Sequence, residues 1–268
     1  MGQILKNEMF PSPYVARLHA MWAQFREVVI QNFPAPPGLP EDKNAYMKAI
    51  TEIYAQDAYN SLSIEGYRVT DGLIAKVRRA EWNPDLNCED KERHNALAAR
   101  GYYEARLQVE QSVRKILDGE NPGMQIANDL QQWYQSMFSP VVRAGILSAS
   151  DLFGYRRGQV YLRGSRHTPP AHEYVKECMD AFFDLLIAEP HAGVRALLGH
   201  FFFVYIHPYM DGNGRIARFL MNAMFASGGY PWTIIHVANR DRYMSALESA
   251  SVGGDILPFT RFVAYEVG

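Results

Sequence analysis

A short charged turn that directly follows a wholly apolar segment constrains this chain more than any other feature. Residues 201–206 are Phe-Phe-Phe-Val-Tyr-Ile, and residues 207–218 are His-Pro-Tyr-Met-Asp-Gly-Asn-Gly-Arg-Ile-Ala-Arg. Because the apolar segment must be buried, the turn has to lie at the end of a core element. Apolar spacing predicts helices over 190–206 and from Gly214 to about Ser227. The chain is therefore predicted to fold there as helix, turn and helix.

The composition of the turn favours an anion-binding site. Gly212 and Gly214 permit backbone conformations closed to other residues, so that consecutive N–H groups can converge on one anion. A helix that begins just after Gly214 adds its positive end at the same place. Arg215 and Arg218, three residues apart, share one face of that helix and can contact successive phosphates. The turn therefore has the groups that bind a nucleoside triphosphate.

Two further side chains of the turn supply chemistry. Asp211 is a hard oxygen ligand suited to Mg²⁺ that bridges phosphate oxygens. His207 belongs to the residue type that titrates near neutral pH, which suits a base that removes a proton from a hydroxyl. The alternative is a core histidine beside an ordinary turn, since Asp-Gly and Asn-Gly pairs mark turns in general. The joint spacing of the histidine, the glycines and the two arginines favours the functional interpretation. The segment is neither a Walker A loop nor the glycine-rich loop of a kinase.

Composition limits the function classes open to the chain. Its 268 residues can form one large domain or a domain with an extension, and 48% hydrophobic and 21% charged residues are ordinary for a globular protein. A net charge of −2 argues against binding nucleic acid by neutralising phosphates. Cys88 and Cys178 show neither a disulfide framework nor metal-ligand spacing. With no signal peptide or membrane-spanning segment in the sequence, we expect a cytoplasmic protein.

The rest of the chain is predicted to be mainly α-helical. The proline-rich residues 33–40 forbid a helix and predict a stiff linker. Gly66 suits the left-handed position that follows a helix ending at Glu65. The predicted helices cover about 14–32, 42–65, 88–118, 122–138, 171–187, 190–206, 214–227 and 240–250.

One segment breaks the helical pattern. Residues 160–163 alternate with period two between Gly158 and Gly164, and a double proline at 169–170 closes the segment. This pattern predicts a small β-hairpin over about 158–168. Free backbone groups at its edge could bind an extended peptide by strand addition, with a solvated basic turn as an equal alternative.

The turn resembles the signature of Fic-domain proteins, His-x-Phe-x-Asp/Glu-Gly-Asn-Gly-Arg-x-x-Arg. Residues 207–218 depart from it only at Tyr209, which keeps the aromatic ring and adds a hydroxyl. Residues 158–168 look like the flap hairpin of the family. The resemblance implies a mainly α fold, with a Fic catalytic domain over 85–268 that carries the flap and an N-terminal helical region over 1–84.

The resemblance implies protein adenylyltransferase chemistry. In this chemistry ATP is cleaved between its α and β phosphates, AMP passes to a Ser, Thr or Tyr hydroxyl of a protein, and pyrophosphate leaves. By position, His207 is the implied base and Asp211 the implied Mg²⁺ ligand. Gly214 argues against the family branch that phosphorylates its target, where a lysine takes that place. The implied nucleotide-binding residues are Gly212, Asn213, Gly214, Arg215, Arg218 and Tyr243.

A second motif lies in the N-terminal region. Residues 61–66, Ser-Leu-Ser-Ile-Glu-Gly, match the inhibitory pattern Ser/Thr-x-x-x-Glu-Gly/Asn of many Fic proteins, although alone they would indicate a helix end with a solvated glutamate. Ser61 and Glu65 lie on one helical face, and Gly66 completes the motif. The resemblance implies that Glu65 pairs with Arg218, whose donors the γ-phosphate needs. We therefore expect a resting enzyme of low activity.

Several alternatives stay open. Met244 and Ser251 stand where family members often carry a tyrosine and an asparagine near the base, so transfer of another nucleotide is one alternative. The same site could instead remove AMP from a modified protein, with Glu65 orienting water. A nucleotide-sensing interaction protein is the rival outside enzymes, and a DNA-binding regulator is the least favoured. The expected partners are ATP and a protein target, which could be the chain itself, with no nucleic acid and no membrane; a homodimer is an open expectation.

Overall fold

The computed structural model describes residues 12–79 and 90–268. The predicted boundary between an N-terminal region and a catalytic domain, at 84/85, lies outside the described residues, as does Cys88. Within the described ranges the chain is helical and shows no strand, which agrees with the mainly α prediction. No helix there is both long enough and apolar enough to span a bilayer.

Eleven α-helices occupy the described ranges, joined by short 3₁₀ turns and loops. Several begin where the sequence offers a capping side chain: the Asp42 carboxylate accepts from the Ala45 N–H at 2.9 Å, and the Asn121 side chain accepts from the Met124 N–H at 2.9 Å. The helices are α1 (Pro13–Asn32), α2 (Lys43–Glu52), α3 (Tyr54–Ile64), α4 (Asp71–Arg78), α5 (Asp90–Leu117), α6 (Pro122–Arg143), α7 (Val175–Ala188), α8 (Ala192–Ile206), α9 (Asn213–Ala226), α10 (Arg240–Gly253) and α11 (Leu257–Val267).

Helix α8 is the centre of the fold. Nearly all of its residues are buried, including the three consecutive phenylalanines at 201–203. Trp22 and Phe25 of α1 contact these rings from one side, with the Trp22 and Phe202 centroids 5.3 Å apart. A Cβ on Gly199 would come within 2.6 Å of the Leu220 side chain, so this glycine allows close packing of α8 against α9. The turn between these two helices is thereby held by rigid elements on both sides.

One predicted helix is divided in the structure. The sequence predicts a continuous helix over 42–65, but α2 ends at Glu52 and α3 begins at Tyr54. Ile53 leaves the helical conformation, with ψ near 1°. The break redirects α3 so that its last turn, which bears Glu65, meets the start of α9.

The predicted β-hairpin over 158–168 is wrong. This segment is an irregular loop with one turn, in which the Ser165 N–H donates to the Leu162 carbonyl at 3.1 Å. Two prolines at 169–170 have no N–H to give to a ladder. The Gln159 amide instead donates to the carbonyls of Val160 and Pro169, both at 3.2 Å.

Candidate active site

His207 lies at the C-terminal end of α8 in a left-handed conformation, with φ at 53°. It is the single non-glycine residue of the described ranges with a positive φ, which marks a strained position of the kind found at functional sites. The Arg156 guanidinium holds the strained backbone, because its Nε donates to the His207 carbonyl at 2.8 Å. Arg156 is itself buried and its N–H donates to the Pro208 carbonyl at 2.8 Å. Arg156 was not identified from the sequence.

The imidazole of His207 is neutral at physiological pH. Burial lowers its pKa to about 4; a hydrogen bond to the Val204 carbonyl and the Glu65 carboxylate act in the opposite direction, and the Arg156 charge lowers the pKa further. Nδ1 lies 3.4 Å from the Val204 carbonyl oxygen. If Nδ1 carries the proton, Nε2 is the ring nitrogen that can accept one.

The loop 208–212 is closed by the side chain of Asn213. Its Oδ1 accepts from the Tyr209 N–H at 3.0 Å and its Nδ2 donates to the Tyr209 carbonyl at 2.8 Å. The Tyr209 ring stacks on Tyr134 with centroids 3.7 Å apart, and its hydroxyl donates to Gln131 at 3.3 Å. The extra hydroxyl that distinguishes Tyr209 from the usual phenylalanine therefore has a partner.

Gly212 is required by both conformation and space. Its φ is 83°, and a Cβ would lie 2.8 Å from the Phe138 ring. Its N–H donates to Asp211 Oδ1 at 2.6 Å. In this structure one N–H of the predicted anion hole is therefore bound by the neighbouring carboxylate.

Arg215 lies between the turn and an open cavity. The guanidinium is buried between the rings of Tyr67 and Phe138, at 5.1 and 5.3 Å from their centroids. Its Nη2 donates to Asp211 Oδ2 at 3.1 Å, and the Asp211 side chain is 61% exposed. Both residues line a largely apolar cavity of about 630 Å³.

Arg218 is bound by the N-terminal motif. Its Nε donates to Ser61 Oγ at 2.8 Å, and its Nη2 donates to the Ser61 carbonyl at 3.0 Å and to Glu65 Oε1 at 2.6 Å. Burial is the largest single effect and lowers the pKa of Arg218, but the Glu65 carboxylate together with the phenols of Tyr243 and Tyr102 outweighs it, so the net pKa is raised. Within the described ranges Nη1 has no hydrogen-bond partner. The structure thus brings Ser61, Glu65 and Arg218 together as expected from the sequence.

Gly214 allows Glu65 to reach this place. A Cβ on Gly214 would lie 2.3 Å from Glu65 Oε1 and 3.2 Å from Arg218 Nη1. The end of α3 is also held from α10, since Arg240 Nε donates to the Ile64 carbonyl at 2.9 Å. Gly66 follows with φ at 90° and turns the chain away. Arg240 is a second contact that the sequence pattern did not reveal.

Tyr243 lies in the core rather than on the cavity. It is 1% exposed and its hydroxyl is 2.8 Å from His200 Nε2. Burial raises its pKa to about 12, and the Arg218 charge opposes that rise. The structure thus leaves Tyr243 no exposed face for a nucleotide base.

The loop at 158–168 is attached to the body at two places. Glu248 of α10 accepts from the Ser165 hydroxyl and, at 2.8 Å, from the Arg166 N–H. The His167 ring stacks on Tyr205 with centroids 4.2 Å apart. Tyr161, by contrast, is 78% exposed at the outer part of the loop.

Comparisons with known proteins agree with this geometry. Residues 125–225 match the family model described as Fic/DOC family. A protein adenylyltransferase Fic from Nematostella vectensis is 46% identical over 114 residues, which cover 41% of this chain and 26% of the relative. The relative of the same description from Drosophila willistoni is 31% identical over 234 residues, which cover 84% of this chain and 42% of the relative. This chain therefore spans less than half the length of these curated relatives.

Solved structures show the same fold. A segment of Fic-1 from C. elegans, residues 134–508, superposes with a TM-score of 0.67 at 22% identity, covering 94% of this chain and 70% of that one. A Fic domain-containing signaling protein from Bacteroides thetaiotaomicron superposes with a TM-score of 0.61 at 19% identity, covering 95% and 92%. These two likenesses show that the fold is shared. Residues 125–225 of this chain therefore form a domain of the Fic/DOC family.

Proposed function

We propose that this chain is a protein adenylyltransferase that transfers AMP from ATP to a Ser, Thr or Tyr hydroxyl, and that Glu65 keeps it at low activity. The pair between Glu65 and Arg218, at 2.6 Å, is the observation that carries the proposal. It joins the inhibitory motif to the signature turn. The relatives described as protein adenylyltransferase Fic support the same reaction.

The nucleotide would bind at the start of α9. The N–H groups of 212–214 and the positive end of the helix suit the phosphates. Arg215 and Arg218 add two guanidiniums on the same helical face. Asn213 supports this site indirectly, because its side chain is used to close the loop.

His207 is the proposed base. Its neutral imidazole accepts the proton of the target hydroxyl, and the hydroxyl oxygen attacks the α-phosphorus of ATP. The bond from the α-phosphorus to the α–β bridging oxygen breaks as the new ester bond forms. Pyrophosphate leaves with the bonding electrons, and AMP stays on the protein.

Asp211 fits the Mg²⁺ ion that this reaction implies. Its carboxylate is 61% exposed beside the turn. The described ranges hold no group of three or more His, Cys, Asp or Glu that could bind a metal ion. Mg²⁺ usually takes one or two carboxylates and completes its coordination with phosphates and water, so one aspartate suffices. When bound, the ion neutralises phosphate charge.

Inhibition follows from competition for Arg218. Its Nη2 is bound by Glu65 and Ser61, so a phosphate that needs this donor must displace them. The carboxylate also repels a phosphate brought to the same place. ATP would therefore bind in a pose that does not react.

The decisive experiment is a comparison of wild type and Glu65→Gly for incorporation of labelled AMP, with His207→Ala in each background. We expect Glu65→Gly to raise incorporation at least about tenfold, since it removes a charge-assisted hydrogen bond worth about 1.5–3 kcal/mol. His207→Ala should silence both proteins. If Glu65→Gly transfers no AMP to itself or to an added lysate, the proposed function fails. Intact mass after incubation with each nucleoside triphosphate identifies the group transferred.

A second reaction shares this site. The Glu65 carboxylate acts on the pKa of His207 in the direction opposite to burial, and in the reverse reaction Glu65 would orient the water molecule that removes AMP. Incubating AMP-modified protein without ATP separates the two directions, because only the reverse reaction releases AMP. A homodimer and a cytoplasmic location remain proposals, which sedimentation and cell fractionation test.

A further inference from the structure

The contacts that hold Glu65 on Arg218 extend further along α3. Asp57, Ser61 and Glu65 follow one another at intervals of four, so they share one face of the helix. All three accept hydrogen bonds from residues of the catalytic region. Asp57 lies two turns before Glu65, about 12 Å along the axis.

Asp57 is the anchor of this face. It is 5% exposed, and its Oδ2 accepts from Arg106 Nη1 at 2.6 Å and from the Tyr102 hydroxyl at 2.8 Å. Arg106 is 1% exposed, and its guanidinium has further partners besides Asp57. Its Nη2 donates to the Ile50 carbonyl at 2.8 Å, and the guanidinium lies 3.7 Å from the centroid of the Trp232 ring.

Tyr102 links the anchor to the regulated arginine. Its hydroxyl donates to Asp57, which lies one helical turn before Ser61 on the same face of α3. Ser61 in turn accepts from Arg218 at 2.8 Å. The Tyr102 hydroxyl and the Arg218 guanidinium therefore bind neighbouring turns of one face of α3.

The tyrosine ring is fixed independently of its hydroxyl. Tyr102 is fully buried, and its ring packs on Phe219 of α9 with centroids 4.6 Å apart. Phe219 directly follows Arg218 in the chain. A phenylalanine at 102 would keep this packing and lose only the hydrogen bond to Asp57.

We infer that Tyr102 is a positioning residue for the autoinhibitory contact: its hydroxyl binds Asp57 on α3 and its ring packs on Phe219 of α9, which together hold α3 where Glu65 meets Arg218. The inference rests on the proposed function and names the residues that regulate it. Neither Tyr102 nor Asp57 touches the signature turn's phosphate-binding groups in the described contacts. Loss of the Tyr102 hydroxyl should loosen the last turn of α3 and release Arg218 to ATP.

The test is Tyr102→Phe, compared with Tyr54→Phe as a matched control. Tyr54 lies on α3 and is almost as buried as Tyr102, but its hydroxyl has no hydrogen-bond partner within the described ranges. We expect Tyr102→Phe to raise AMP incorporation by about 2- to 12-fold, which corresponds to one hydrogen bond's net 0.5–1.5 kcal/mol. Tyr54→Phe should match wild type.

Two further readouts separate positioning from damage to the fold. In the Glu65→Gly background Tyr102→Phe should add no activity, because the contact that it loosens is already gone. Amide hydrogen exchange over 61–67 should rise in Tyr102→Phe and not in Tyr54→Phe. Incorporation that is unchanged or lower in the wild-type background, or exchange that matches the control, overturns the inference. If Glu65→Gly itself transfers no AMP, the proposed function fails, and hydrogen exchange alone decides on Tyr102.

Discussion

Arg215 and Arg218 lie three residues apart on one helix and are almost equally buried, at 1% and 4% exposure, yet their surroundings differ. Arg218 donates three hydrogen bonds to α3, including one to Glu65. Arg215 donates to Asp211, a neighbour in its own turn, and faces an open cavity. The first guanidinium is bound by a distant segment of the chain and the second by a local carboxylate.

This difference shows how one turn can combine catalysis with restraint. Asp211 belongs to the signature, so its bond to Arg215 can rearrange within the turn when phosphates and Mg²⁺ arrive. Glu65 directly follows α3, whose face is held through Ser61, Tyr102 and Asp57. The position of Glu65 is therefore set by contacts between α3 and distant parts of the chain.

The strongest test of this difference is to remove the carboxylate that each arginine binds, Glu65 for Arg218 and Asp211 for Arg215. We expect Glu65→Gly to raise AMP incorporation, and Asp211→Asn to lower it about 100- to 1000-fold, since the second loses a metal ligand and transition-state stabilisation. Measured against each other, the two variants should differ by about 1000-fold or more. Effects of the same sign would show that the two arginines do not have different roles.

Acid should lower the folding stability of the protein through one buried histidine, His200. Burial, and then the Arg218 charge, lower the pKa of His200 to about 3. The unfolded chain binds this proton below about pH 6.5 and the folded chain only near pH 3, so stability falls as pH falls through that window. The loss should be about 1.4 kcal/mol per pH unit from this histidine.

Urea unfolding of wild type and His200→Gln between pH 7 and pH 4 measures this effect. Glutamine keeps a hydrogen-bonding group near Tyr243 but cannot titrate, and His207 is present in both proteins. The difference between the two slopes therefore belongs to His200. Parallel slopes would contradict a neutral buried histidine at this place.

Truncation of Arg218 should destabilise the protein more than truncation of Arg215. Arg218→Ala leaves the oxygens of Ser61, a buried residue, without donors, and we expect a loss of about 2 kcal/mol. Arg215→Ala frees Asp211, which is 61% exposed and is hydrated at little cost, so the loss should be about 1 kcal/mol. Urea denaturation measures both, and a larger loss for Arg215→Ala would reverse the assignment.

The smallest expected effect concerns Gly214. Gly214→Ala places a Cβ against Glu65 Oε1, so wild type should lose about 1 kcal/mol of stability. In the Glu65→Gly background the same substitution should be neutral or stabilising, because alanine favours a helix more than glycine. Thermal unfolding of wild type, the two single variants and the double variant gives the coupling free energy between positions 214 and 65. Equal losses in both backgrounds would show that Glu65 does not occupy this space.

Much of the site was predictable because its information is local. The glycine turn, His207 at the end of an apolar helix and the motif at 61–66 are all patterns within a few residues. The hairpin over 158–168 was not predictable in this way, since alternation alone does not show whether a partner strand has free N–H groups. The break at Ile53 likewise depends on where α3 must pack.

The sequence by itself determined which chemical groups enter the turn, in which order, and that a helix would present two arginines on one face. Only the tertiary structure decided which partner each arginine takes, because Glu65 and Arg218 are 153 residues apart in the chain. Arg106 was not identified from the sequence, yet it is buried and donates to Asp57. A charge can be buried only where partners converge on it, and that convergence is a property of packing, not of local pattern.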